Sequence, residues 1–190
     1  MTTTTSAPIS AAQASPRWFI PLLAAVVTTA WAASVAIGSS VTPEPLVHGL
    51  ALAAHTVFVV LAFGAILLLD WVGFLWLLGK RRLHESSRLA SAALPLIWGG
   101  LGGLLISGAL IEPDISSPIT QLKLGSILVL MLNGVSLIPL TRSLHALDPG
   151  TRFTDVNPRL RTRLCVSLSV SQLGWWTAVG VGLVNSMNRG

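Results

Sequence analysis

Residues 55–82, HTVFVVLAFGAILLLDWVGFLWLLGKRR, form the stretch that decides the fold. Its apolar run of about 24 residues is long enough to cross a bilayer as one helix, and it ends at the basic cluster Lys80-Arg81-Arg82. One carboxylate, Asp70, stands in the middle of this run. A charged side chain in hydrocarbon is costly unless it is paired, hydrated or protonated. Asp70 is therefore the first candidate for a functional residue.

The composition indicates an integral membrane protein. Of the 190 residues, 52% are hydrophobic and only 10% are charged, whereas a soluble domain carries roughly 25% charged residues. The formal net charge is +5. Since the basic residues lie in loops beside apolar runs, where they orient helices in a bilayer, we expect no nucleic-acid partner. The single cysteine, Cys165, excludes an internal disulfide and a cysteine metal centre, and we predict no metal site.

Five apolar runs predict an all-α fold, an integral membrane bundle of five transmembrane helices in one domain, residues 17–190. The Thr/Ser/Ala/Pro-rich residues 1–16 are expected to form a disordered tail. The first run has an Ala-rich end like that of a signal peptide, but its length of about 20 residues favours a retained helix. The predicted helices cover residues 17–39, 46–79, 90–111, 121–142 and 164–186.

The loop charges predict the orientation of the bundle. Loops 80–89 and 143–163 each carry three or more cations, whereas loops 40–47 and 112–119 carry none. Five spans place the first two loops on one side of the membrane and the other two on the opposite side. The positive-inside rule then predicts a cytoplasmic N-terminus, an external C-terminus and a multi-pass protein of the plasma membrane.

Three polar side chains are predicted to lie at similar depth near the middle of the bilayer. Asp70 is about ten residues from Lys80, and at 1.5 Å per residue this is roughly 15 Å. Asn133 and Gln172 lie about as far from the ends of their own helices. We therefore predict a buried polar cluster between helices 2, 4 and 5. It either joins the helices by hydrogen bonds or binds a proton, an ion or a polar group of a ligand.

Two histidines and a lysine form a second candidate site, nearer the predicted outer surface. His48 and His55 are seven residues apart, so they lie on one stripe of helix 2. They predict haem ligation or a proton path towards Asp70, with hydrogen bonds to lipid headgroups or water as the alternative. Lys123, at comparable depth on helix 4, either reaches the headgroups or pairs with a carboxylate or a haem propionate near His55.

The order of these features resembles a superfamily of small helical membrane proteins that includes the copper-resistance D (CopD) domain and the HemJ-type protoporphyrinogen oxidases. One helix runs from His55 to a basic cluster, and the next has a Gly-rich outer half, LIWGGLGGLLISG. The following helix, KLGSILVLMLNG, opens with Lys123-Leu124 and reaches Asn133-Gly134. The resemblance covers residues 48–145. It is strongest to the uncharacterised relatives in this superfamily, and a resemblance to those relatives implies no activity.

The resemblance implies that His55 and Lys123 are haem or porphyrin contacts. HemJ-type proteins usually have a histidine near the position of Asn133, which is a difference in this chain. The residues and the resemblance together predict an integral membrane protein of unassigned activity in the lipid bilayer, alone or with a further subunit. The alternatives are a redox protein that binds haem b or a porphyrin through a helix-2 histidine, and a small proton- or ion-coupled permease. No catalytic residue is assigned.

Overall fold

A computed structural model describes residues 16–187, apart from the side chains at positions 84, 86 and 186. Within that range the chain forms five α-helices and one short 3-10 helix, with no β-strand. The five helices are long and apolar enough to cross a membrane, which confirms the all-helical prediction and the number of candidate spans. The predicted N-terminal tail lies outside the described residues, except for Pro16. The helices are α1 (Phe19–Gly38), α2 (Pro45–Leu77), α3 (Leu83–Gly108), α4 (Pro118–His145) and α5 (Pro158–Met187).

Two helices begin well before their predicted starts. Helix α3 begins at Leu83 rather than at residue 90, and α5 begins at Pro158 rather than at residue 164. Hydropathy detects only the apolar part of a helix, whereas the backbone continues through polar residues such as Glu85 and Arg88. Helix α5 begins with Pro158. An N–H group at the first helical position has no partner within the helix, so proline, which has no N–H, is favoured there.

Helices α2 and α3 form a closely packed antiparallel hairpin. A Cβ atom added at Gly100 would lie 2.7 Å from Cβ of Ala62, and one added at Gly103 would lie 2.5 Å from the ring of Phe58. Ala62 has no solvent-exposed surface. Small residues at such contacts bring the two backbones together, and in lipid this gain in van der Waals contact favours helix association.

Helices α4 and α5 form a second hairpin, whose connecting loop covers one end of the bundle. Trp76 of α2 donates a hydrogen bond from Nε1 to the carbonyl oxygen of Thr151 in that loop, over 3.2 Å. The Trp76 ring also meets Phe153 edge-on, with 5.1 Å between the ring centroids. The turn after α2 and the loop after α4 therefore lie at the same end of the bundle. The buried apolar residues at this end are Trp76, Leu83, Leu140, Val156 and Leu164.

Helix α1 connects the two hairpins. The Ser34 hydroxyl donates to the carbonyl oxygen of Leu105 in α3 over 2.7 Å, and Trp31 Nε1 donates to the carbonyl oxygen of Leu124 in α4 over 3.0 Å. Helix α1 packs against both of these helices, whereas the direct contacts between α2 and α5 and between α3 and α4 are sparse. The bundle is thus two hairpins that α1 joins on one side.

Replacing Gly100 by alanine tests the α2–α3 contact. We expect Gly100→Ala to lower the free energy of unfolding by about 1–3 kcal/mol, because the added methyl overlaps buried Ala62 and the helices must separate. Thermal unfolding in detergent micelles measures the effect. Gly99→Ala is the matched control, since nothing lies within 4 Å of its Cβ position. Equal stability of the two variants would show that the contact is not close.

Candidate functional site

His55 is held in one orientation by Ser107 across the α2–α3 contact. His55 Nδ1 and Ser107 Oγ are 2.9 Å apart, and the same hydroxyl donates to the carbonyl oxygen of Gly103 over 2.6 Å. A serine hydroxyl has one proton, so Nδ1 of His55 must be the donor in the histidine–serine bond. This arrangement assigns the tautomer that leaves Nε2 unprotonated, with its lone pair available to a ligand.

Lys123 of α4 completes this site, which we call the histidine site (His55, Ser107 and Lys123). Its ammonium group lies close enough to His55 to act on it electrostatically. Three helices from both hairpins therefore contribute to the site. An apolar groove of about 280 Å³ between α2 and α3 is lined by Ala54, Phe58 and Ser107, so it reaches the edge of this site.

His48 lies on the same helix but outside this arrangement. Its side chain is partly exposed, and within residues 16–187 it makes no hydrogen bond or ion pair. The two histidines that the sequence groups together thus have different surroundings. Only His55 is oriented by a second residue.

The three residues of the predicted polar cluster form two separate pairs. Asn133 Nδ2 donates to the carbonyl oxygen of Ser167 over 2.9 Å, and the Ser167 hydroxyl returns a bond to Asn133 Oδ1 over 2.7 Å. These two bonds join α4 to α5. Asp70 and Gln172 form the other pair, which joins α2 to α5. In the described part of the chain, Asn133 has no hydrogen bond to either of them.

Asp70 is the end of a chain of hydrogen bonds from α5. Trp176 Nε1 donates to Gln172 Oε1 over 3.0 Å, and Gln172 Nε2 donates to Asp70 Oδ2. The Phe63 ring lies two turns before Asp70 on α2 and contacts Trp176 edge-on, with 5.1 Å between the centroids. We call these four residues the Asp70 seam. It lies where the two hairpins touch only sparsely, and Asp70 itself is partly buried.

For two of these residues, Ser107 and Trp176, the sequence did not predict the hydrogen bonds that the structure shows. The sequence contains a signal that pairs Ser107 with His55. Positions 55 and 107 are equally far along the chain from Arg81, which lies in the predicted turn between the two helices. Antiparallel helices bring such positions to the same level. For Trp176, its spacing of four residues from Gln172 places both on one helix face. A search of the described residues for three or more His, Cys, Asp or Glu side chains that could hold a metal ion found no such group.

The Asn133–Ser167 pair is expected to contribute to stability only. In a double-mutant cycle of Asn133→Ala and Ser167→Ala, we expect a coupling energy of about 0.6 kcal/mol, the average for hydrogen bonds between helices in lipid. Chemical unfolding in micelles measures it. Ser136→Ala is the control, since the Ser136 hydroxyl bonds only to the carbonyl oxygen of Asn133 in its own helix. Strictly additive effects of the two substitutions would contradict the hydrogen bond.

Comparison of the chain with protein-family models, with curated proteins and with solved structures finds no match.

Proposed function

We propose that the chain is a multi-pass protein of the plasma membrane with its N-terminus in the cytoplasm. The support is the position of its charges. The basic turn after α2 and the Arg-rich loop after α4 lie together, as the hydrogen bond from Trp76 to Thr151 requires. In the cell membrane such a concentration of cations favours the cytoplasmic side.

Labelling of single cysteines tests this orientation. In a Cys165→Ser background, we expect Ser116→Cys, in the exposed loop after α3, to react with a membrane-impermeant maleimide in intact cells. Thr154→Cys, in the exposed loop after α4, should react only after the membrane is permeabilised. The opposite pattern would reverse the orientation, and labelling of both in intact cells would contradict the five spans.

We infer that the protein binds haem b or a related porphyrin at the histidine site. The observation that carries this proposal is the hydrogen bond between His55 Nδ1 and Ser107 Oγ. Histidines that bind a metal commonly donate their second ring N–H to an oxygen, which sets the tautomer and the orientation of the ring. His55 meets this requirement, and His48 does not.

The donor set suits a haem with one protein ligand. Nε2 of His55 would hold the iron, and the Lys123 ammonium would pair with a propionate, because both groups belong to one site of α2, α3 and α4. Asn133, near which HemJ-type proteins usually have a histidine, bonds instead to Ser167. The resemblance to the CopD and HemJ-type superfamily names the same histidine and lysine.

Each residue of the site then has a definite task. Ser107 keeps the proton of His55 on Nδ1, Lys123 compensates a negative charge, and Ala54 and Phe58 line an apolar groove beside the site. A bound haem would supply electron transfer, and its potential would depend on how far the site excludes water. The chain itself contributes binding, orientation and charge compensation.

The visible absorption spectrum tests this proposal. Protein expressed with ample haem should purify with a Soret band. We expect His55→Ala to abolish the band, because the lone pair on Nε2 is lost. Ser107→Ala should weaken haem affinity by about 10–100-fold, as is typical when the partner that orients a ligand is removed.

His48→Ala is the matched control. It removes a histidine from the same stripe of α2, and the side chain of this histidine has no hydrogen-bond partner among the described residues. Its spectrum should equal that of the unchanged protein. A colourless wild-type protein, or equal loss of the band in His48→Ala and His55→Ala, would overturn the proposal.

A further inference from the structure

The Asp70 seam contains an ionisable group that haem binding does not use. We propose that Asp70 binds and releases a proton inside the membrane, and that Gln172 and Trp176 stabilise its charged form. In this step a hydronium ion gives its proton to a carboxylate oxygen and leaves a water molecule, and release of the proton reverses the step. The site is separate from the histidine site and joins α2 to α5, whereas the histidine site involves α2, α3 and α4.

The direction of the hydrogen bonds supports the charged form. The indole N–H of Trp176 can only donate, so the Gln172 atom that faces it must be the carbonyl Oε1. The amide nitrogen of Gln172 then necessarily faces Asp70, to which it donates. An ionised carboxylate is an acceptor only, and it suits this donor. A proton on Oδ2 itself would face the N–H of Gln172, so the observed bond requires that Oδ2 carries no proton.

The second carboxyl oxygen provides the place for the proton. Within residues 16–187, Asp70 Oδ2 accepts the bond from Gln172, whereas Oδ1 has no hydrogen bond. Asp70 is also only partly buried, at a contact that is sparse compared with the contacts inside each hairpin. A proton can therefore be added at Oδ1 without breaking the bond between the two helices.

Within the described residues, no cation forms an ion pair with Asp70. Gln172, which bonds to Asp70 from α5, does not titrate, and in the described part of the chain Asp70 makes no hydrogen bond or ion pair with any of the other ionisable residues of the helices. These are His48 and His55 of α2, His84, Glu85 and Arg88 of α3, Lys123, Arg142 and His145 of α4, and Arg159, Arg161, Arg163 and Cys165 of α5. Uptake of a proton is therefore the direct way to remove the charge of Asp70 from hydrocarbon.

Aromatic side chains pack together on both sides of Asp70 along α2. On one side lie Phe63 and Trp175, whose ring centroids are 5.8 Å apart. On the other side lie Trp76 and Phe153 at the basic end of the bundle. Asp70 thus lies between two pairs of aromatic rings along α2.

Reaction with a hydrophobic carbodiimide tests the proposal, since this reagent modifies protonated carboxyl groups in apolar surroundings. The full-length protein in phosphatidylcholine vesicles is treated with dicyclohexylcarbodiimide over a range of pH, and the adduct is located by mass spectrometry. We expect Asp70 to be labelled in acid and several-fold less at neutral pH. Gln172→Leu should restore labelling at neutral pH, because the donor to the carboxylate is lost.

Trp176→Phe is the matched variant, since it keeps a ring against Phe63 but lacks the N–H donor. Its labelling at neutral pH should lie between those of the wild type and Gln172→Leu. Infrared difference spectra provide a second measurement, in which acidification should add the carbonyl band of a protonated acid that is missing in Asp70→Asn.

Three results would overturn the proposal. They are labelling of Asp70 that does not change with pH, no difference between the wild type and Gln172→Leu, and no acid-dependent carbonyl band. Each would make Asp70 a structural contact in one fixed protonation state. His55→Ala in haem-free protein separates this test from that of haem binding, because the bond of Asp70 to Gln172 does not involve the histidine site and the labelling should stay unchanged.

Discussion

Helices α2 and α3 approach each other so closely at Ala62 and Gly100 that neither position has room for a larger side chain. In lipid there is no hydrophobic gain from bringing two apolar helices together, so contact area and hydrogen bonds determine which helices associate. The contact of small residues has a direct consequence for the chemistry. It sets the level at which Ser107 faces His55, and it thereby determines which nitrogen of the histidine carries the proton.

Different interactions join the two hairpins to each other. Helix α1 contributes one hydrogen bond to each hairpin, the Asp70–Gln172 pair joins them on the other side, and the loop after α4 closes the basic end through Trp76. None of these contacts has the close backbone packing of Ala62 against Gly100. Relative movement of the hairpins therefore costs less than movement within one, since it disturbs a few polar contacts and little packing.

Hydropathy and loop charge predicted the five helices and the shared depth of Asp70 and Gln172, because both depend only on position along the chain. The same reasoning placed Asn133 with them, although it pairs with Ser167. Depth does not specify the direction in which a side chain leaves its helix, and that direction follows from how the helices pack. The early start of α3 at Leu83 has a related cause, since helix ends do not coincide with the limits of the apolar run.

The two candidate sites share α2, and each of them includes residues from both hairpins. The histidine site draws on α2 and α3 of one hairpin and on Lys123 of the other, so a ligand that binds there favours one relative position of the two. The charge of Asp70 governs the strength of its bond to Gln172 across the same boundary. If the proposed ligand and the proton each favour one relative position of the hairpins, their binding is thermodynamically coupled, and the coupling is reciprocal. The two sites therefore need no direct contact to influence each other.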